Sequence, residues 1–407
     1  MSDAPNDASS EQQRGQILLH VFGRTDVGQI REHNEDNFLV ADLTRKSRSL
    51  MEPDRRQTVG RRGTVLGVCD GMGGAAAGEV ASQLAVDIIY EKLAQGDPPA
   101  HRDELARRLV FAVEEAGVRI FNEARADRTR RGMGTTATIA ALMDERLFVA
   151  QVGDSRAYIL RNGQLVQVSR DQSLVNQLIE AGQLTEEEAE TFEHNNIILQ
   201  ALGTSETVQV DLTFADLRRG DVLLLCSDGL SGMIRSDEMK EVLLSVPDPL
   251  EACKVLTERA NMAGGHDNIT VIVAHFDGDW LTEISAEDEP LKYRKYALPE
   301  VNPEATVRSL PMNPQEVQTA PPSEEARRES RRLKVGHTMV GLANPLAGVE
   351  LPQQPAAVAG ALPPSPNYSP DDDPVQIPTT GLSPGLVGAM VVGAMLLVAV
   401  TGYLVLR

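Results

Sequence analysis

Acidic residues stand at the ends of short apolar runs across the first two thirds of the chain, and this placement restricts the fold more than any other feature. VLGVCDG leads into Asp70 and Gly71, DVLLLCSDGL closes on Asp228, and FVAQVGDSRAYIL turns at Asp154. Asp267 opens the run NITVIVAHF, and Glu35 and Asp36 in REHNEDNF immediately precede NFLVAD. Short apolar runs bounded by turn-favouring residues read as strands. ILLHVFGRT, TATIAALM and RAYILRNGQLVQVS extend the series, and Asn162-Gly163 in the last is a hairpin turn of the primed type. Two long helical patterns intervene. GEVASQLAVDIIYEKLAQ carries Val80, Leu84, Val86, Ile88 and Leu93 along a broad apolar face, and ELARRLVFAVEEAGVRIFNEA carries Leu105, Leu109, Val113 and Ile120. Strands follow the helix pair in succession and are joined by hairpins, without βαβ alternation. This predicts an α+β fold of antiparallel sheets covered by helices.

The composition divides the chain. Residues 1–14 are polar and expected to be a disordered tail, and residues 15–280 hold all the strand and helix patterns and are expected to form one folded domain. Residues 281–384 are Pro-rich and charged without a sustained apolar period, so no core offsets the entropy of ordering them, and a disordered linker is expected. Residues 385–406, GLVGAMVVGAMLLVAVTGYLVL, carry no charge, and about 20 helical residues span a bilayer core. The N-terminus lacks the basic region and apolar core of a secretory signal. The simplest topology is a single-pass tail anchor in the cell inner membrane, with the folded domain in the cytoplasm and Gly388, Ala389, Gly393 and Ala394 small enough to allow helix pairing. A net charge of -20 argues against a nucleic-acid partner. Cys69, Cys226 and Cys253 are far apart and read as buried residues of a reducing compartment.

One Asp-Gly is ordinarily a turn. Several acids gathered at one rim repel each other unless a cation offsets them, and an all-oxygen donor set without paired His or Cys suits a hard divalent ion. Two other chemistries match less well. GMGGAA fits a dinucleotide-binding turn in pattern, but a second long helix follows the first where a parallel strand is required, and no Lys-Ser or Lys-Thr follows for a P-loop. Cys253 to Arg259 satisfies the C-x5-R spacing of a thiol phosphatase, yet KVLTE between them reads as helix interior and not as a phosphate-cradling loop.

Six blocks in order, Arg31 to Asp36 (REHNED), CDGMGG (69–74), GMGTT (132–136), GDSRAY (153–158), CSDGL (226–230) and GGHDNITV (264–271), resemble the bacterial metal-dependent protein phosphatases of the PPM family, the type 2C serine/threonine phosphatases. The resemblance covers about residues 17–277. It implies a central antiparallel β-sandwich flanked by helices in α-β-β-α layers. It also implies hydrolysis of phosphoserine and phosphothreonine on proteins by a water or hydroxide bridging two Mn²⁺ or Mg²⁺ ions, with a weaker third ion beside them. On this resemblance Asp70 bridges both ions, Gly71 offers its carbonyl, and Asp228 and Asp267 complete the set. Asp154 joins Asp228 at the third ion, Glu35 and Asp36 act on the metal waters, and Arg31 clamps the phosphate through its planar fork. Asn196 falls where the family's mobile flap approaches the third ion. Gln172 stands where many members carry His, and Met72 stands where eukaryotic members carry a candidate general acid, a role a thioether cannot fill. Phosphoproteins, among them serine/threonine kinases at the membrane, are the expected partners. The alternative is a catalytically impaired, membrane-tethered scaffold that binds phosphoproteins.

Overall fold

The structure, a computed structural model, describes residues 15–51, 54–73, 77–189, 192, 196–285 and 288–299. The chain divides into two units after Pro311, and every described residue belongs to the first. The expected N-terminal tail, the linker beyond 299 and the apolar stretch 385–406 lie outside the described residues. Among the described residues no helix is long and apolar enough to cross a membrane.

In chain order the strands are β1 (Leu18–Asp26), β2 (Asn37–Asp42), β3 (Arg56–Thr58), β4 (Thr64–Cys69), β5 (Gly71–Met72), β6 (Gly134–Thr135), β7 (Ala137–Met143), β8 (Arg146–Val152), β9 (Arg156–Arg161), β10 (Gln164–Gln167), β11 (Asp211–Asp216), β12 (Val222–Cys226) and β13 (Ile269–Asp277). The helices are α1 (Ala77–Ala94), α2 (Arg102–Ala126), α3 (Leu174–Glu180), α4 (Glu186–Ala189), α5 (Asp228–Ser231), α6 (Ser236–Ser245) and α7 (Pro249–Met262). One sheet has the order β10-β9-β12-β13-β1-β3 and the other β11-β8-β7-β4-β2, while β5 and β6 form a separate ribbon. Neighbouring strands run antiparallel throughout.

The strand period explains the layering. Along β13, Ile272 and Ala274 enter the core between the sheets with Leu66, Val68 and Leu223, while Val271 and Val273 face α6 and α7 through Val242 and Leu256. Both faces are covered, which is why this run is apolar without alternation. The other sheet presents Ile139 and Phe148 to Val86, Ile89, Leu105 and Leu109 of α1 and α2. The result is the α-β-β-α stack. Asp248 caps α7 by accepting from Leu250 and Glu251 amides, with Pro249 in the first turn.

The folded unit runs past residue 280, where the sequence composition places the start of the linker. Phe214 N–H donates to the Arg294 carbonyl and Tyr296 N–H to that of Leu212, so this segment pairs with β11, the edge strand. Tyr296 stands edge-on to Phe148 and Phe214, with ring centroids 4.9 and 5.3 Å away, and its hydroxyl donates to Asp103. Arg218 forks onto Asp288 with bonds of 2.9 and 3.1 Å. Composition hides this segment because its anchors are few and their partners lie far away in sequence.

Tyr296→Ala in the full chain is expected to cost about 1–3 kcal/mol through the lost ring contacts. The urea unfolding midpoint reads this, with the exposed Lys292→Ala as a control expected to stay within about 0.5 kcal/mol.

Candidate metal centre

Strand register decides where the acids go. In the five-stranded sheet Asn37 lies opposite Cys69, Val68 opposite Thr138 and Ala137 opposite Val152, so Asp36, Asp70 and the Gly153–Asp154 turn share one end. In the six-stranded sheet Arg156 lies opposite Cys226, Cys226 opposite Val271 and Asp26 opposite Ile269, which brings Asp228 and Asp267 to one end as well. The two ends meet, because the Asp70 and Asp228 carboxyls lie close enough for each to shift the other's protonation.

Hydroxyl and amide groups fix this arrangement. Thr136 N–H and the Thr135 hydroxyl both donate to the Asp70 carbonyl, at 2.8 and 2.9 Å, while Asp70 N–H donates to the Thr136 hydroxyl. Asp36 Oδ2 accepts from the hydroxyls of Ser227 and Thr270 at 2.8 and 2.7 Å. Asn268 is a hub: its Oδ1 accepts from Glu35 N–H, its Nδ2 donates to the carbonyls of Val27 and His33, and its N–H donates to Asp267. Sequence reasoning assigns none of these holders a role, although each lies within a quoted block, because most of the groups they hold are far away in sequence. Gly71 is enclosed so closely that a Cβ there would collide with the carbonyl oxygens of Glu35 and Gly78. Only glycine fits.

Among the described residues no group of three or more His, Cys, Asp or Glu side chains is gathered in coordinating range. What fits a cation is a set of orphaned oxygens. Asp36, Asp154 and Asp228 each hold a buried Oδ1 with no hydrogen-bond partner, an arrangement that costs free energy unless something supplies positive charge there. The orphaned atoms at these three residues are all carboxylate oxygens. Cys69 and Cys226 belong to the cores on either side of the sandwich, and burial pushes the Cys226 thiol up to about 12. Hard divalent ions suit such a site.

Without a cation these carboxyls are shifted towards their protonated forms. Burial, then the charges of Asp36, Asp228 and Asp154, raises the Asp70 carboxyl far above its usual value. Burial first and Asp267 second raise Asp228. Asp36 is pushed up to about 7 by burial, against the Thr270 and Ser227 hydrogen bonds, with Asp228 and Asp267 adding to the rise. Asp154 is pushed up to about 7 by burial and then by Asp228 and Asp171.

Glu35 lies against the start of α1, where a Cβ on Gly78 would meet its carboxylate, and burial raises its pKa. Arg31 is exposed and donates to Asp267 at 2.6 Å, so it stands at the rim of the acids. Met72 is half-buried in the β5 ribbon. Asn196 is exposed, and among the described residues no hydrogen bond joins it to the acids. Cys253 lies on α7 with its thiol against the Phe22 and Val271 carbonyls and is pushed up to about 12 by burial, which removes the thiol chemistry.

A protein-family model described as Protein phosphatase 2C matches residues 46–263. The chain is 36% identical over 259 residues to the serine/threonine phosphatase stp of Listeria monocytogenes, covering 64% of this chain and 96% of that protein. Its fold resembles the crystal structure of the Mycobacterium tuberculosis serine/threonine phosphatase PstP/Ppp, with a TM-score of 0.55 and 35% identity over 64% of this chain and 99% of the other. A second structure, the PstP catalytic domain in complex with two manganese ions, aligns with a TM-score of 0.54 and 34% identity over 64% and 99%.

Asp36 and Asp154 titrate near 7 in the fold and near 4 when unfolded, so their contribution to stability is full below about pH 4 and is lost as pH rises through about 7. In chelator the melting midpoint is therefore expected to carry a falling component between about pH 5 and pH 8 that Asp36→Asn removes in part. Mn²⁺ competes with these protons and should raise the midpoint more at about pH 8 than at about pH 5, as read by scanning fluorimetry. Equal shifts at both pH values would contradict the assignment.

Proposed function

The chain belongs to the protein phosphatase 2C family, and from that premise we propose how its residues share the work of a metal-dependent serine/threonine protein phosphatase and where it acts. Its substrates are phosphoserine and phosphothreonine esters on proteins, and its cofactor is Mn²⁺ or Mg²⁺. When bound, a pair of such ions supplies an activated water at neutral pH and neutralises charge on the phosphoryl group. The observation that carries the assignment of residues is the buried, partnerless carboxylate oxygen repeated at Asp36, Asp154 and Asp228 around the Asp70–Asp228 contact.

Asp70, the Gly71 carbonyl, Asp228 and Asp267 would hold the two ions, and Asp154 with Asp228 a weaker third. Asp36 is locked by Ser227 and Thr270 and keeps one oxygen turned to the site, which suits orienting water. Glu35 flanks it on the side of α1. Arg31 is half exposed and pairs with Asp267, an exchangeable pairing of small worth, so a phosphate can recruit its fork in place of the carboxylate. Met72 cannot protonate the departing alkoxide.

The apolar stretch 385–406 supports a tail anchor, with the catalytic unit on the cytoplasmic face and membrane-proximal kinases or their targets as substrates. Carbonate extraction tests it: the full chain should stay in the membrane pellet and a chain lacking 385–407 should not.

The purified full chain should release phosphate from a phosphothreonine peptide with Mn²⁺ or Mg²⁺ and stop in chelator. Loss of an outer-shell partner costs metal sites about 10–100-fold, so Asp228→Asn, which removes a direct ligand, should lower kcat/KM by at least about 100-fold. Arg31→Lys should raise KM more than it lowers kcat, because one point charge replaces a two-pronged contact. Turnover in chelator, or full activity in Asp228→Asn, would sink the mechanism; tight peptide binding without turnover would favour the scaffold.

A further inference from the structure

Asp154 differs from the other acids in how its direction is set. No partner reaches its Oδ1, and its place depends on the backbone of the turn that carries it. That turn is closed by Gly153 at φ 99, in the left-handed region, pressed so closely onto Thr136 that a Cβ would not fit. From the sheet side, Gln151 Nε2 holds the turn through the Gly153 and Ser155 carbonyls at 3.1 and 2.7 Å.

From the opposite side one residue holds it. Gln172 N–H donates to the Gly153 carbonyl at 2.9 Å, and Gly153 N–H donates back to Gln172 Oε1 at 3.0 Å, so both polar groups of Gly153 are taken by the same residue. The amide end of that side chain donates to the carbonyls of Gln209 and Gln151 at 3.2 and 3.4 Å. The Gln172 carbonyl accepts from Leu199 N–H, next to the Ser173–Ile198 bridge and the bond from Leu174 N–H to Ile197. These contacts pin together the two ends of the excursion that contains α3 and α4. The backbone at 171 is itself fixed, since Asp171 is clasped by Arg156 and Gln167 and its carbonyl accepts from Asn176.

We propose that Gln172 is a positioning residue: its side-chain amide aims the Asp154 carboxylate at a cation and ties that aim to the root of the α3–α4 excursion. The role needs an acceptor and a donor on one side chain of this length. Alanine removes both, and the Gln172→Glu substitution would set a carboxylate oxygen against the Gln151 and Gln209 carbonyls while keeping the size. The inference rests on the reading of Asp154 as a ligand to the weaker ion, and it leaves the ions held by Asp70, Asp228 and Asp267 untouched.

Mn²⁺ titration of the full chain, followed by the electron paramagnetic resonance of free Mn²⁺, separates the possibilities without using turnover. The unsubstituted chain should show a tight class and a weaker class of sites. Asp154→Asn should abolish the weaker class, and Gln172→Ala and Gln172→Glu should each weaken it by about 10–100-fold, the range for lost second partners of metal ligands, with the tight class unchanged. A general folding defect would lower both classes together with the urea midpoint and would overturn the proposal. So would a normal weaker class in both Gln172 variants while Asp154→Asn abolishes it. Retention of the weaker class in Asp154→Asn would instead refute the ligand reading of Asp154 and take this inference with it.

Discussion

Everything at the reacting end of this molecule depends on crowding carboxylates where they repel each other. Two unit charges about 4 Å apart repel by about 4 kcal/mol at an effective dielectric near 20, and burial adds to that cost. The fold tolerates the crowding because its interior is not negotiable. Ile272 and Ala274 face one core and Val271 and Val273 another, so a slip of one residue in β13 would turn both sets the wrong way. Register locked by apolar packing carries Asp267 and Asp228 to a fixed end of one sheet, as Asn37 opposite Cys69 does for Asp36 and Asp70 in the other. Stability spent on holding the acids together is recovered when a cation binds.

The acids were legible in sequence because each sits where an apolar run breaks at a small residue, a local signal. So were most strands, the two long helices and the buried α7 around Cys253. What sequence could not show is long-range. β11, with the sequence DLTFAD, escapes notice because its acids do not mark a turn: Asp211 accepts from the Tyr293 hydroxyl and Asp216 pairs with Arg146. The segment 288–299 reads as linker for the same reason, its tyrosines finding partners near residues 103, 148 and 214. Thr136, Ser227, Asn268 and Thr270 are ordinary polar residues until the sheets close and set each beside an acid or its backbone.

Those holders also divide the acids into two kinds. Asp36 has its second oxygen fixed by two hydroxyls from the neighbouring sheet, and Asp70 has its peptide clasped by Thr135 and Thr136. Both are built into the sandwich and move only if it moves. Asp154 sits on a turn held from two sides, by Gln151 of the sandwich and by Gln172, whose backbone is paired with the α3–α4 excursion. A carboxylate held wholly by the sandwich keeps its aim with the sandwich, whereas one held partly through Gln172 also shares the constraints on the segment that Gln172 roots.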